Sequence, residues 1–191
     1  GVIKVATDVQ HITDGELAAH NELVLRAASR ASVITGVPIS THTSSLAKIG
    51  DYQTTIFESE GVDMSKVCIG HSNDTDDIDY LTGIIDKGCV LGMDHFPGGR
   101  QGGLNWEERV KVIKKLIDLG FADKITVSHD FGGWRPVLIE LENARETNNP
   151  DGYSFVSLNV IPRLLELGVS QQDIDLITVD NPRNFFDNFR A

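Results

Sequence analysis

Apolar positions along the chain follow two alternating periods. Five short β-branched runs, at residues 2–7, 37–41, 67–70, 89–93 and 125–128, have the length and composition of buried strands. Between them apolar residues recur at helical spacing. Residues 16–34 place Leu17, Leu23, Val24, Ala27, Ala28 and Ala31 on one stripe, and residues 106–119 do the same with Val110, Ile113, Leu116 and Ile117. Residues 52–60 and 76–87 give two further helices. Each of the four is followed by glycine (Gly36, Gly61, Gly88, Gly120), the residue that ends a helix with a left-handed turn. Two shorter helices, 155–167 and 171–177, and a turn at 182–186 close the chain.

Strands that alternate with helices predict βαβ units and a parallel sheet, an α/β fold. No linker or low-complexity stretch interrupts the pattern, so residues 1–191 read as one domain, with glycine-rich loops at 98–103 and 132–133. The composition, 40% hydrophobic and 24% charged, is that of an ordinary globular chain. A net charge of −11 argues against a nucleic acid or an anionic membrane surface as partner, since both need a basic face. No apolar run is long enough to cross a bilayer. The pattern of a signal peptide is missing from the first residues, which favours a cytoplasmic location. Cys68 and Cys89 lie in apolar runs without metal-type spacing and read as buried, reduced residues.

Chemistry-bearing residues gather where the strands end: His42 after the second, His71 after the third, Asp94 and His95 after the fourth, His129 and Asp130 after the fifth. In a parallel sheet these ends share one face, where a barrel places its active site and an open sheet its ligand crevice. Strand alternation puts Thr126, Ser128 and Asp130 on one side and His129 on the other, so Asp130 is the candidate that faces the site. Lys4 sits inside the first strand, where an ammonium is poorly solvated. It could form a Schiff base with a carbonyl substrate, or be converted into an acidic ligand. The histidines and the aspartate favour a metal.

Six segments in order, GVIKVAT (1–7), ASVITGVPISTHT (31–43), IFESEGVDMSKVCIGHSNDTDD (56–77), LGMDHFP (91–97), ITVSHD (125–130) and IPRLLELGVSQQDIDLITVDNPRNFF (161–186), resemble the phosphotriesterase family of the amidohydrolase superfamily. The resemblance implies a TIM-type (β/α)8 barrel of which this chain supplies the C-terminal five βα units. It implies that Lys4 becomes a carbamate bridging two divalent metals, zinc first, with cobalt, manganese or iron as alternatives. It further implies that His42 and His71 ligate the second metal. Asp130 would be both a ligand and the acceptor of the proton from a bridging hydroxide, and His95 with Asp74 would carry that proton away. The family's His-x-His pair is missing: the other histidines near the start are His11 and His20. Three βα units would therefore precede Gly1, and the expectation is a fragment, a homodimer, or a chain whose barrel a partner polypeptide completes. His95, Phe96, Phe131 and Trp134 would line an apolar pocket for a small neutral ester. Asp94-His95 followed by Phe-Pro resembles the phosphotriesterases, which the reading favours, whereas Ser128-His129-Asp130 resembles lactonases acting on acyl-homoserine or other lactones. Readings of other classes are a Schiff-base lyase using Lys4 and a non-catalytic barrel fragment.

Overall fold

The computed structural model describes residues 1–98, 103–131 and 149–187. Five parallel strands, β1 (Ile3–Thr7), β2 (Ile39–Thr43), β3 (Val67–Ile69), β4 (Val90–Met93) and β5 (Ile125–Val127), form one sheet in sequential order. Each strand neighbours the one before it, from Ile3↔Ile39 between β1 and β2 to Met93↔Val127 between β4 and β5. Crossovers between parallel neighbours are almost always right-handed. A sequential order therefore sends every helix to the same side, as in a barrel, whereas an open doubly wound sheet reverses direction partway. That order decides between the two architectures the sequence leaves open.

The connecting helices are α1 (Gln10–Thr13), α2 (Gly15–Thr35), α3 (Ile49–Ser59), α4 (Ile78–Asp86) and α5 (Trp106–Asp118). They cover the face of the sheet that carries Val5, Thr7, Ile39, Thr41 and Thr43, all buried. The core between the layers is built from Leu25, Phe57, Leu81, Ile84, Ile113 and Leu116 against Ile39, Ile69, Leu91 and Ile125. The opposite face carries Lys4, Ala6, Ser40 and His42 and is more open. All four glycines expected to stop helices have positive φ, Gly36 at 72° and Gly120 at 90° among them.

Three expectations change. The second strand runs Ile39–Thr43, two residues later than the pattern indicates, so His42 lies within the strand. Pro38 precedes it and serves only as an acceptor, from the Ile3 amide at 2.9 Å. In α2 the stripe chosen from the sequence is largely not the buried one, sharing only Ala28 with it. Leu25, Ala28, Ser29 and Ser32 face the sheet, and Leu17, Leu23 and Val24 are exposed. Ser29 and Ser32 are tolerated inside because their hydroxyls donate to the carbonyl oxygens of Leu25 and Val37, both at 2.7 Å. The helix expected at 155–167 is in fact a π-helical segment, Val156–Val160, followed by an α-helix, Ile161–Glu166. A second π segment, Leu176–Asp180, precedes the helix Asn181–Asp187. Both π turns lie just before a proline, Pro162 and Pro182. Proline has no amide donor and crowds the carbonyl four residues back, and a widened turn relieves that crowding.

Candidate active site

The strand ends bring together most of the residues the sequence singles out. His71 follows β3 and takes a left-handed backbone with φ 58°. Asp94, just beyond β4, holds it twice: Oδ1 accepts from the His71 amide at 2.6 Å and bonds its Nδ1 at 2.9 Å. Ser45 Oγ donates to the His71 carbonyl oxygen at 2.8 Å. The His71 ring is thus fixed from one side, with Nε2 turned to the open face. There it lies 2.7 Å from His42 Nδ1, and His42 Nε2 lies 3.1 Å from Asp8 Oδ1.

This row, Asp8–His42–His71–Asp94, contains three hydrogen bonds. Both carboxylates, when ionised, only accept, and the bond between the rings needs one proton more. Three N–H protons are required from two imidazoles that hold two when neutral. The place where the two ring nitrogens meet therefore calls for a positive charge, and a cation there would take over from the extra proton.

His95 stacks on His71, ring centroids 3.8 Å apart and planes 11° from parallel. Its Nδ1 lies 2.9 Å from Asp74 Oδ2 and its Nε2 3.3 Å from Asp130 Oδ2. One ligand atom each from His71, His95 and Asp130 falls within 4.8 Å of the others. Among the described residues this is the one group of such side chains close enough to hold a metal ion. Two imidazoles and a carboxylate are donors suited to zinc and similar cations, and the Asp94–His71 pairing is the outer support such ligands use.

The charges are unequal in effect. Burial disfavours a charged His95, but the Asp74 carboxylate, helped by Asp94 and Asp130, outweighs it and raises the His95 pKa above its ordinary value. Burial would raise the Asp74 pKa. His95 and the Arg109 guanidinium overcome that and hold the Asp74 carboxyl below the usual carboxylate range. Burial, with Asp94 nearby, pushes the Cys68 thiol up to about 12, and burial alone does most of the same for Cys89. Both cysteines are free and buried, as expected.

Other placements depart from expectation. Lys4 is exposed rather than poorly solvated, because it projects from the open face, and its Nζ donates to the Thr41 carbonyl oxygen at 2.9 Å. It shares that face with His42, one pleat repeat away, since Lys4 pairs with Ser40 and Ala6 with His42. Phe96, expected to line a pocket, is 2% exposed and belongs to the core, which leaves no ring surface for a substrate. Phe131 is half-buried at the open end and meets Tyr153 edge to face at 4.9 Å. Trp134 lies outside the described residues.

Strand alternation is not what aims Asp130. β5 ends at Val127, and Asp130 has a left-handed backbone, φ 45°, which turns its carboxylate to His95. His129 packs away from the group, its ring 5.1 Å from that of Tyr153.

The sequence reading gives no role to Asp8, Asn73, Arg109 or Tyr153, nor a specific one to Asp94. One signal was available for Arg109. It falls in register with Ile113 and Leu116 on the buried stripe of α5, where a cation requires partners.

Comparison with known proteins agrees with the geometry. The model of the phosphotriesterase family matches residues 1–186. A phosphotriesterase homology protein of Mycobacterium tuberculosis is 38% identical over 187 residues, covering 98% of this chain and 55% of that protein. An aryldialkylphosphatase of Saccharolobus solfataricus is 35% identical over 191 residues, covering 97% and 57%. The solved structure of the phosphotriesterase from Mycobacterium tuberculosis superposes with a TM-score of 0.87 at 37% identity, over 98% of this chain and 56% of that one. The chain spans about half the length of the curated relatives it matches.

Proposed function

The chain belongs to the phosphotriesterase family, and from that premise we propose that it carries the strand-end half of a metal-dependent hydrolase that cleaves small neutral phosphotriesters. The observation that supports this most is the convergence of His71, His95 and Asp130 within 4.8 Å, with His42 Nδ1 at 2.7 Å from His71 Nε2. His42, His71 and Asp130 would hold divalent cations, zinc first. Lys4 would join them as a carbamate once its amine gives up the Thr41 carbonyl. When bound, the metals supply Lewis-acid polarisation of the ester oxygen and acidify the attacking water.

The chain's own residues manage the proton. Asp130 Oδ2 accepts it from the water, and His95 Nε2, 3.3 Å away, takes it next. Asp74 stabilises the cation that His95 becomes, through the bond to Nδ1 at 2.9 Å. The raised His95 pKa suits a group that must hold a proton before releasing it to solvent. Phe131, next in sequence to Asp130, and the exposed Tyr153 ring that it meets would offer apolar surface to an uncharged substrate. A lactone would meet the same groups, and Ser128-His129-Asp130 favours that as the second reading. The complete active unit is proposed to include further polypeptide, since β1 and β5 each have one unpaired edge among the described residues.

The test is to prepare the protein with zinc and bicarbonate and measure retained metal. Hydrolysis of an aryl dialkyl phosphotriester and of an acyl-homoserine lactone is then followed, alone and with a polypeptide supplying three preceding βα units. Zinc retention that His71→Ala removes, and triester turnover that Asp130→Asn lowers by about 10² or more, are expected. Failure to retain zinc in either form would sink the proposal. Faster turnover of the lactone would replace the first substrate class with the second.

A further inference from the structure

Arg109 is a guanidinium inside the layer of apolar side chains, with its side chain 4% exposed. A cation buried to that degree needs partners for its donors, and Nη1 of Arg109 finds both of its own on one short loop. Nη1 donates to the Asn73 carbonyl oxygen at 2.9 Å and to Asp74 Oδ1, and Nε donates to the Leu104 carbonyl oxygen at 2.9 Å.

The two residues gripped by Nη1 are the two that hold His95. Asn73 clamps its backbone: Asn73 Oδ1 accepts from the His95 amide at 3.1 Å, and Nδ2 donates to the His95 carbonyl oxygen at 3.3 Å. Asp74 holds the ring through Nδ1. Gly98, φ 73°, packs its backbone so close that a Cβ there would overlap the guanidinium of Arg109. The cation therefore has one seat, fixed from the loop on one side and from Gly98 on the other.

We propose that Arg109 is a positioning residue for His95, fixing which nitrogen carries the proton and where the ring points. An ionised Asp74 can only accept, so Nδ1 must donate to it, and Nε2 is left to face Asp130. Without the guanidinium, Asp74 loses a charged partner and is free to rotate away from Nδ1. Either His95 tautomer is then allowed, and the ring is no longer held flat on His71. The inference rests on the role proposed above for His95, although the position of the His95 proton can be read without turnover. A merely structural Arg109, stapling α5 to the loop, would stabilise the fold and leave the His95 tautomer alone.

Long-range proton–nitrogen NMR of the metal-free chain, recorded above the histidine titration range, distinguishes the two. Wild type is compared with Arg109→Met, Arg109→Lys and Gly98→Ala, and His95 is assigned by its loss in His95→Gln. A single Nδ1-protonated His95 is expected in wild type. Arg109→Met and Gly98→Ala should mix the tautomers, and Arg109→Lys should restore most of the wild-type pattern. The His42 signals serve as the check that each variant is folded. Gly98→Ala keeps the charge and displaces it, so it carries the test if Arg109→Met does not fold.

An unchanged His95 pattern in folded Arg109→Met or Gly98→Ala overturns the inference, as does a wild-type ring that already mixes tautomers. Where triester turnover is measurable, Arg109→Met should lower kcat by about 10² with KM near wild type. Shifted tautomers in a protein that retains no zinc, alone or completed, would sink the proposed function and leave this inference standing. Turnover with an unshifted His95 would do the reverse.

Discussion

His71 and Asp130 are two of the three non-glycine residues with positive φ among the described residues. Such backbones cost on the order of 1–3 kcal/mol and persist where surrounding contacts over-determine them. His71 meets that condition: amide, carbonyl and ring are each bonded, and the ring is stacked on His95. Asp130 is more loosely held, its side chain exposed and facing His95. Asp94 is thus the side chain on which the orientation of His71 depends most. Asp94→Asn would keep one acceptor for two donors and lose the anion facing Nδ1. It should weaken zinc binding about 10- to 100-fold, measured by calorimetric titration. Equal affinity would remove Asp94 from that role. At this scale His42, His71 and Asp130 are legible in the sequence because ligand-type side chains are unusual at strand ends. Asp94 supports the site through a backbone amide as well as a ring, and no spacing rule reports that.

The elements show where periodicity suffices and where it fails. α5 opens with a capping box, in which Asn105 Oδ1 accepts from the Glu107 and Glu108 amides and Glu108 Oε2 accepts from the Asn105 amide at 2.7 Å. Arg109 lies in the next turn, so the cap also sets the start of the helix that delivers it. Asn105→Ala should destabilise the protein by about 1 kcal/mol, seen as a lower urea midpoint with an unchanged slope; no shift would mean the cap is idle. α2 shows the opposite case. It carries apolar residues on more than one face, with Leu23 65% and Ile34 82% exposed, so the period alone could not say which face the sheet would take. α1 is a single turn without buried residues and offered no period to read.

For the whole molecule, β1 and β5 are edge strands among the described residues, and an unpaired edge templates association. Val2, Val9, Leu17, Leu23 and Val24 are exposed just before β1, just after it and on the helix packed against it. Exposed apolar side chains near an unpaired strand edge favour association. The chain by itself should therefore sediment as more than a monomer. Leu17→Asp with Val24→Asp should shift it toward the monomer in sedimentation velocity. A wild-type chain that stays monomeric at every concentration tested would show that this surface is inert.

The sequence by itself determined the alternation of strands and helices, the glycine stops, the buried cysteines and the family. Those features depend on local periodicity, backbone freedom and residue order, all of which lie along the chain. The family resemblance already implied a barrel and a link from Asp130 to His95, whereas tertiary structure alone decided that Phe96 is core and Lys4 exposed, and that the His95 ring stacks on His71. It also decided that one buried guanidinium ties the residues holding His95 to a neighbouring helix. Contacts of that kind join residues 20 to 40 positions apart, as in His71 to Asp94 and Asp74 to Arg109. They exist only after crossover helices have brought successive strand ends to one face, so no stretch of sequence contains them.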